Sequence, residues 1–468
     1  MTRSAPHLNR RDFLRFSAAT GAAALLSCTP DAGPPPGRSP FGRPETDPEG
    51  LLELPAGWRY RVLFDSDSTL SNGAPAPGQP DAMAAFDVDG ETVLVRNHEL
   101  SDGEDQPVEG ASPYDSGAPG GTTALVVDAD RNLVRSYVTS SGSVDNCAGG
   151  PTPWGTWLTC EETLDDEHGY VFEVLPGEAE HAVSRSPIRD MGRFSHEAAG
   201  VDPDTGIVYL TEDDGPASFL YRYLPHDRSG RPGSLAAGGV LEALALDEAG
   251  AAQANELDYG TGYGERWVGV DPEDAKAGAE DNGAIRFVRL EGAWFADGAL
   301  WFNDTSGGPD KLGQTWRYTP ATESLELFFE SGGTNEMKAP DNAVVSPWGD
   351  FLFVEDAQDG NRIMGVTPTG GVYELARNAH NASELTGPCF SPDASTLFVG
   401  YQEPGITFAV WGPWPQPNAA RRARMARAQP PVELASQLTP EIRDAARRLG
   451  ITPLRAAAQQ RLGVLLLG

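Results

Sequence analysis

The chain has 468 residues, 54 of them Gly and 39 Pro, and a formal net charge of −33. That length allows one unusually large β domain or two ordinary domains, and the Gly and Pro content suits many short strands joined by turns. So large an acidic excess argues against nucleic acid as a partner and fits calcium binding or plain solvation of an exported protein.

The chain opens with Asn-Arg-Arg-Asp-Phe-Leu-Arg at 9–15, a twin-arginine signal, followed by an apolar run at 16–26. That run is too short for a comfortable membrane span. Leu25, Leu26 and Ser27 before Cys28 resemble a lipoprotein cleavage box, with Cys28 as the lipidated residue; ordinary cleavage nearby is the alternative. Residues 1–28 are therefore read as the signal, and 29–49, rich in Pro and Gly, as a flexible tether. The protein is expected in the periplasm or at the cell surface, touching the membrane only through a lipid anchor. The other cysteines are Cys147, Cys160 and Cys389, too few for a disulfide framework and in no CxxC pair. One disulfide among them is possible, with one thiol left over.

From about residue 50 a repeat emerges: a polar residue, a short apolar strand, a turn of Pro or Asp type, a second apolar strand, then an acid or amide. Its copies run from Asp81 to Glu99, Cys147 to Glu162, Glu197 to Asp213, Glu291 to Asp304, Asp341 to Asp356 and Pro388 to Gln402. Most are followed by two more strand-like runs. Four strands per unit and six units describe an all-β fold, a six-bladed β-propeller. The segment 58–64, reading WRYRVLF, is an unpaired strand; joining it to the last blade would close the ring and remove two exposed edges. A long insertion at 225–283 holds the acidic, helix-prone run 271–280 and is expected on one face, over a site. The propeller domain is placed at 50–415. A helix-prone tail follows at 416–468, carrying Arg421, Arg422, Arg424 and Arg427 and further helical patterns at 440–449 and 453–462.

Chemistry concentrates in 146–162, NCAGGPTPWGTWLTCEE. A hairpin turning at Pro153-Trp154-Gly155-Thr156 brings Cys147 beside Glu161 and Glu162. A soft ligand beside hard carboxylates is a metal-site pattern, although a buried cysteine near a solvated acidic turn would look the same. The repeat strengthens the metal reading. Its first strands begin with Cys147, Glu197, Glu291 or Asp341, and its second strands end in Glu99, Glu161–Glu162, Glu212–Asp213 or Glu355–Asp356. All lie at one mouth of the channel. Carboxylates converging there repel unless neutralised. Hard oxygen ligands in such number suit calcium, and the thiolate suggests a transition metal as well.

These residues carry a resemblance to the alkaline phosphatase PhoX family. The matching segments are Arg96-Asn97-His98-Glu99, 146–162, Arg193-Phe194-Ser195-His196-Glu197, Arg289-Leu290-Glu291, Ala339-Pro340-Asp341-Asn342 and 387–393. The resemblance implies a propeller exported by the twin-arginine route. It implies a cluster of ferric iron (Fe3+) and calcium (Ca2+), bridged by a cysteine thiolate, that hydrolyses phosphate monoesters and some diesters. By the same resemblance Cys147 is the bridging thiolate; Glu162, Glu197 and Glu291 are cluster ligands; Asp341 and nearby acids hold calcium. Arg289 faces the phosphate, Arg289 and Glu291 serve catalysis, and Asn97 contacts substrate. Glu99, Glu161, Glu212 and Glu355 are further metal candidates. The partner implied is a small phosphate ester, and a monomer is expected. The lipoprotein box and Arg-rich tail depart from better-known members. Two other readings stay open: a calcium-dependent, lactonase-like hydrolase that would not need Cys147, and a non-catalytic, surface-tethered binding propeller.

Overall fold

The computed structural model describes residues 39–247, 253–358, 360–429 and 432. The twin-arginine motif, Cys28 and the helical patterns at 440–449 and 453–462 lie outside the described residues. Among the described residues no helix is long and apolar enough to cross a membrane.

Six hairpins organise the chain: Pro80–Val88 with Glu91–His98, Asn146–Pro151 with Trp157–Glu161, His196–Val201 with Val208–Glu212, Leu290–Ala296 with Ala299–Asp304, Pro340–Val345 with Phe351–Glu355, and Leu385–Phe390 with Leu397–Tyr401. They fall on the six copies of the repeat. The first strand of each packs on the first strand of the next, and the last packs on the first, so the six surround a central channel. Small residues permit this approach. A Cβ on Gly150 would lie 1.6 Å from Ala199 O of the next hairpin, and one on Gly292 would lie 2.6 Å from Asp341 O.

Outward from the ring the hairpins extend into five sheets, giving an all-β, propeller-like arrangement with few helices. The first hairpin carries two further strands, Gly120–Val127 and Leu133–Ser143. The second carries only one, Val171–Val174, before the chain breaks into short 3-10 turns, so four strands per unit do not hold there. The third and fourth belong to one nine-stranded sheet. Gly262–Gly269 pairs through residues 265–269 with Gly239–Leu246 and through residues 262–264 with Ser324–Glu330.

The insertion at 225–283 is therefore more than a cover: it supplies two of those nine strands. Gly239–Leu246 reads GVLEALAL, almost wholly apolar, and buries Leu241 and residues 243–246 where it joins the third hairpin's sheet. The acidic run does form a helix, Ala275–Asp281, and Lys276 on it reaches Asp214 at 2.6 Å and Glu212 at 3.5 Å. The outer position of the last hairpin's sheet is filled as expected. Arg59–Phe64 pairs antiparallel with Ile406–Trp411, which covers the edge that each strand would otherwise expose.

The Arg-rich tail begins as a ten-residue helix, Ala419–Ala428, whose N-terminus is capped by Asn418 Oδ1 accepting from Arg421 N at 3.0 Å. It crosses the turn ends of the hairpins. Arg421 and Arg424 both bind Asp297, Arg421 also donates to Ser346 O at 2.8 Å, and Arg427 binds Asp204. Beyond the helix Val432 bridges in parallel to Val88. Between helix and ring lies a cavity of about 670 Å³.

Candidate metal centre

The pairing of all six hairpins slips at one place, at the end opposite the turns. The slips fall between Pro80 and Met83, Asn146 and Gly149, His196 and Ala199, Leu290 and Ala293, Pro340 and Ala343, and Thr386 and Cys389. A bulge bends its strand and re-aims the side chain within it. In five hairpins the first residue of the slip is a ligand-type residue: Asp81, Cys147, Glu197, Glu291 and Asp341. Cys147 thus occupies the register of Glu197, Glu291 and Asp341, as the repeat predicts.

Donor atoms of Cys147, Glu162 and Glu197 lie within 4.8 Å of one another, and so do those of Glu197, Glu291 and Asp341. Glu197 belongs to both groups. Burial first, and neighbouring carboxylates second, push the carboxyls of Glu162, Glu197 and Glu291 well above their usual range. The same causes push Asp341 up to about 7 and Glu99 up to about 8. Burial, then Glu197, raises the Cys147 thiol. Glu197 Oε1 and Asp81 Oδ1 are buried without a hydrogen-bond partner. Such groups are costly unless something pairs with them. Cations would both satisfy these oxygens and permit the carboxylates to ionise together, and a coordinated thiol is deprotonated outright. A thiol among several carboxylates therefore fits a soft-tolerant metal beside a hard one.

Four acids that were not singled out as site residues extend the group. Asp81, Asp356 and Glu384 stand near Asp341, and all three carboxyls are raised, chiefly by burial. Asp213 stands by Glu162 and Arg289. Asp81 was detectable as the first copy's counterpart of Cys147, and Asp213 and Asp356 as second members of their acid pairs. Glu384 precedes the sixth hairpin and carries no repeat signal.

Glu161, Glu212 and Glu355 do not join the group. Each lies opposite the residue just before the slip, at Asn146, His196 and Pro340, and alternation turns it away from its successor. Glu161 accepts from Val144 N at 3.0 Å, Gly169 N at 2.9 Å and Tyr170 N at 3.1 Å, and its Oε1 is 2.6 Å from His168 Nδ1. Glu212 accepts from Phe219 N and Tyr221 Oη. Glu355 accepts from Lys338 N and pairs with Arg362 at 2.7 Å. The equivalent His98 and Asp304 likewise hold Gly78 O and Val288 N. These residues tie down the chain entering or leaving each hairpin. The next residue, Glu99, Glu162, Asp213 or Asp356, is the one that turns toward the mouth.

Asn97 is also drawn away from the substrate role expected of it. Its amide donates to Cys147 O at 3.1 Å and Ala148 O at 2.7 Å and accepts from Trp157 Nε1 and Thr159 Oγ1. Fully buried and fully bonded, it clamps the bulge that carries Cys147. Cys147, Cys160 and Cys389 are all buried free thiols, so the possible disulfide is not formed. Arg289 stands at the mouth, paired with Asp213 at 2.6 Å and Glu291 at 3.0 Å.

The family model described as alkaline phosphatase PhoX matches residues 39–405, and the twin-arginine signal model matches residues 7–27. No curated protein matches significantly. Among solved structures the chain is similar to Pseudomonas fluorescens PhoX in complex with vanadate, a transition state analogue. The identity is 18% and the TM-score 0.64, over 84% of this chain and 99% of that one. A gluconolactonase from Xanthomonas campestris aligns at 12% identity and TM-score 0.42, over 82% of this chain and 99% of that one. Because the family model spans the whole ring of hairpins and every segment of the mouth, the chain belongs to the alkaline phosphatase PhoX family.

Proposed function

We propose that the chain is an exported, metal-dependent phosphatase that hydrolyses small phosphate monoesters, and some diesters, at an iron and calcium cluster in the channel mouth. The observation that carries this reading is the donor set itself: a thiol and three or more carboxylates presented by equivalent bulges, with buried oxygens left unpaired, in a PhoX-family chain. Cys147, Glu162 and Glu197 would hold iron. Glu197, Glu291 and Asp341, with Glu99, Asp81, Asp356 and Glu384 around them, would hold calcium. Such metals polarise a phosphoryl group and lower the pKa of an oxygen nucleophile. Arg289 would donate to the equatorial phosphate oxygens as charge builds on them, and Glu291 would both serve the cluster and restrain Arg289.

The fold is read as six blades. The nine-stranded sheet counts as two of them, joined by Gly262–Gly269, because the six first strands form one closed ring. Residues 50–415 would make the propeller domain. Lipidation at Cys28 would leave the enzyme tethered in the periplasm or at the cell surface.

Elemental analysis of protein purified without chelator, together with turnover of p-nitrophenyl phosphate, tests the reading. Iron and calcium with phosphatase activity are expected. Calcium without iron, and turnover of lactones but not phosphate esters, would overturn it.

A further inference from the structure

We infer that Asp213 is a positioning residue, which fixes the guanidinium of Arg289 so that one of its nitrogens, Nη1, meets the phosphoryl group. The inference rests on the phosphatase reading and concerns how the substrate is held. Arg289 Nε lies 3.0 and 3.2 Å from the two carboxylate oxygens of Asp213, and Nη2 lies 2.6 Å from Oδ2. Nη2 also donates to Glu291 Oε1 at 3.0 Å. A guanidinium has five N–H donors in a rigid plane. Asp213 and Glu291 occupy the Nε and Nη2 edge, which leaves the two N–H groups of Nη1 for a ligand. The side chain of Arg289 is 44% exposed, whereas that of Asp213 is 5% exposed, so the arginine faces the mouth from a buried anchor.

The surroundings hold this arrangement firmly. Arg289 has a φ of 62°, a left-handed conformation uncommon for a long side chain, and its carbonyl accepts from Thr305 N at 2.9 Å. Asp213 N donates to Ser195 O at 3.1 Å, and the Asp213 carboxyl stands beside that of Glu162. Asp213 therefore links the arginine to the wall that carries the Cys147 group. Preorganising the donor matters because a small displacement from productive geometry can cost about 100-fold in rate.

Asp213→Ala, Asp213→Asn, Arg289→Ala and the double variant Asp213→Ala/Arg289→Ala distinguish this role from its rivals. Asp213→Ala is expected to lower kcat/KM by about 100-fold with iron and calcium content unchanged, and to weaken inhibition by inorganic phosphate in parallel. Asp213→Asn, which keeps the shape and one acceptor, should recover part of the loss. The double variant should be no worse than Arg289→Ala, because Asp213 acts through Arg289. Loss of metal from both Asp213 variants would make Asp213 a ligand and overturn the inference, as would additive losses in the double variant. Wild-type protein that hydrolyses no phosphate ester would sink the phosphatase reading instead. Binding of inorganic phosphate to the same four proteins, measured by calorimetry, would then still decide whether Asp213 works through Arg289.

Discussion

The two ends of the channel treat charge in opposite ways. At the turn end Asp297 and Asp204 are met by Arg421, Arg424 and Arg427 of the tail helix, so each acid has a cation beside it. At the other end Asp81, Glu99, Glu162, Glu197, Glu291 and Asp341 are brought together, with Arg289 and Lys276 the cations nearby. The first arrangement is a clasp laid across a closed ring. The second raises the free energy of the protein alone, because buried like charges repel and oxygens such as Glu197 Oε1 and Asp81 Oδ1 go unmet. A fold that matches its acids with cations at one end and crowds them beyond its cations at the other leaves the second end suited to bound cations.

Breaking the mouth should have the largest effect. Cys147→Ser is expected to lose iron, any thiolate-to-iron absorption band and phosphatase activity by about 1,000-fold or more while remaining folded. Cys160→Ser should keep all three, since Cys160 packs among apolar side chains and belongs to neither group of converging metal donors. Full iron content in Cys147→Ser would remove the thiolate from the centre. Stripping the metals from wild-type protein should lower its unfolding free energy by about 3–4 kcal/mol, as expected when ligand at 100 to 1,000 times its Kd is withdrawn. Equal urea midpoints with and without chelator would show that the mouth acids need no cations.

The residues that anchor the hairpin ends should separate stability from chemistry. Arg362→Met leaves Glu355 buried without its cation and is expected to cost about 3–5 kcal/mol without changing iron per folded molecule. A proportional loss of iron would place Glu355 in the centre after all.

At the turn end the effects should be small. Asp297→Ala removes the shared partner of Arg421 and Arg424 and should cost about 0.5–1 kcal/mol with activity unchanged. Arg427→Ala should change stability by less than about 0.5 kcal/mol, because its side chain and that of Asp204 are 67% and 68% exposed. A loss of several kcal/mol from either would make the tail a structural support of the ring.

Much of this organisation was legible in the chain alone. In the first five copies the first ligand-type residue stands seven to nine residues before the turn glycine, so the shared register of Cys147, Glu197, Glu291 and Asp341 could be read without coordinates. The unpaired strand at 58–64 announced the closure with Ile406–Trp411, because an edge strand and a last unit lacking its outer strand complete each other. The twin-arginine signal was legible because it is a linear signature.

Tertiary structure alone decided which member of each acid pair faces the mouth. Glu161 and Glu162 are adjacent in sequence and equivalent in chemistry, and alternation says only that they diverge. The bulge opposite them, and the backbone amides of Val144, Gly169 and Tyr170 waiting for a carboxylate, turn Glu161 inward and leave Glu162 to the mouth. Asn97 was likewise lost to a bulge, since its bonds to Cys147 O and Ala148 O exist only where two strands of different hairpins meet. Glu384 and the docking of Arg421 on Asp297 also depend on residues far apart in the chain. Local pattern sets period and register, whereas the partner of a buried charge is set by whatever the closed ring brings within hydrogen-bond reach.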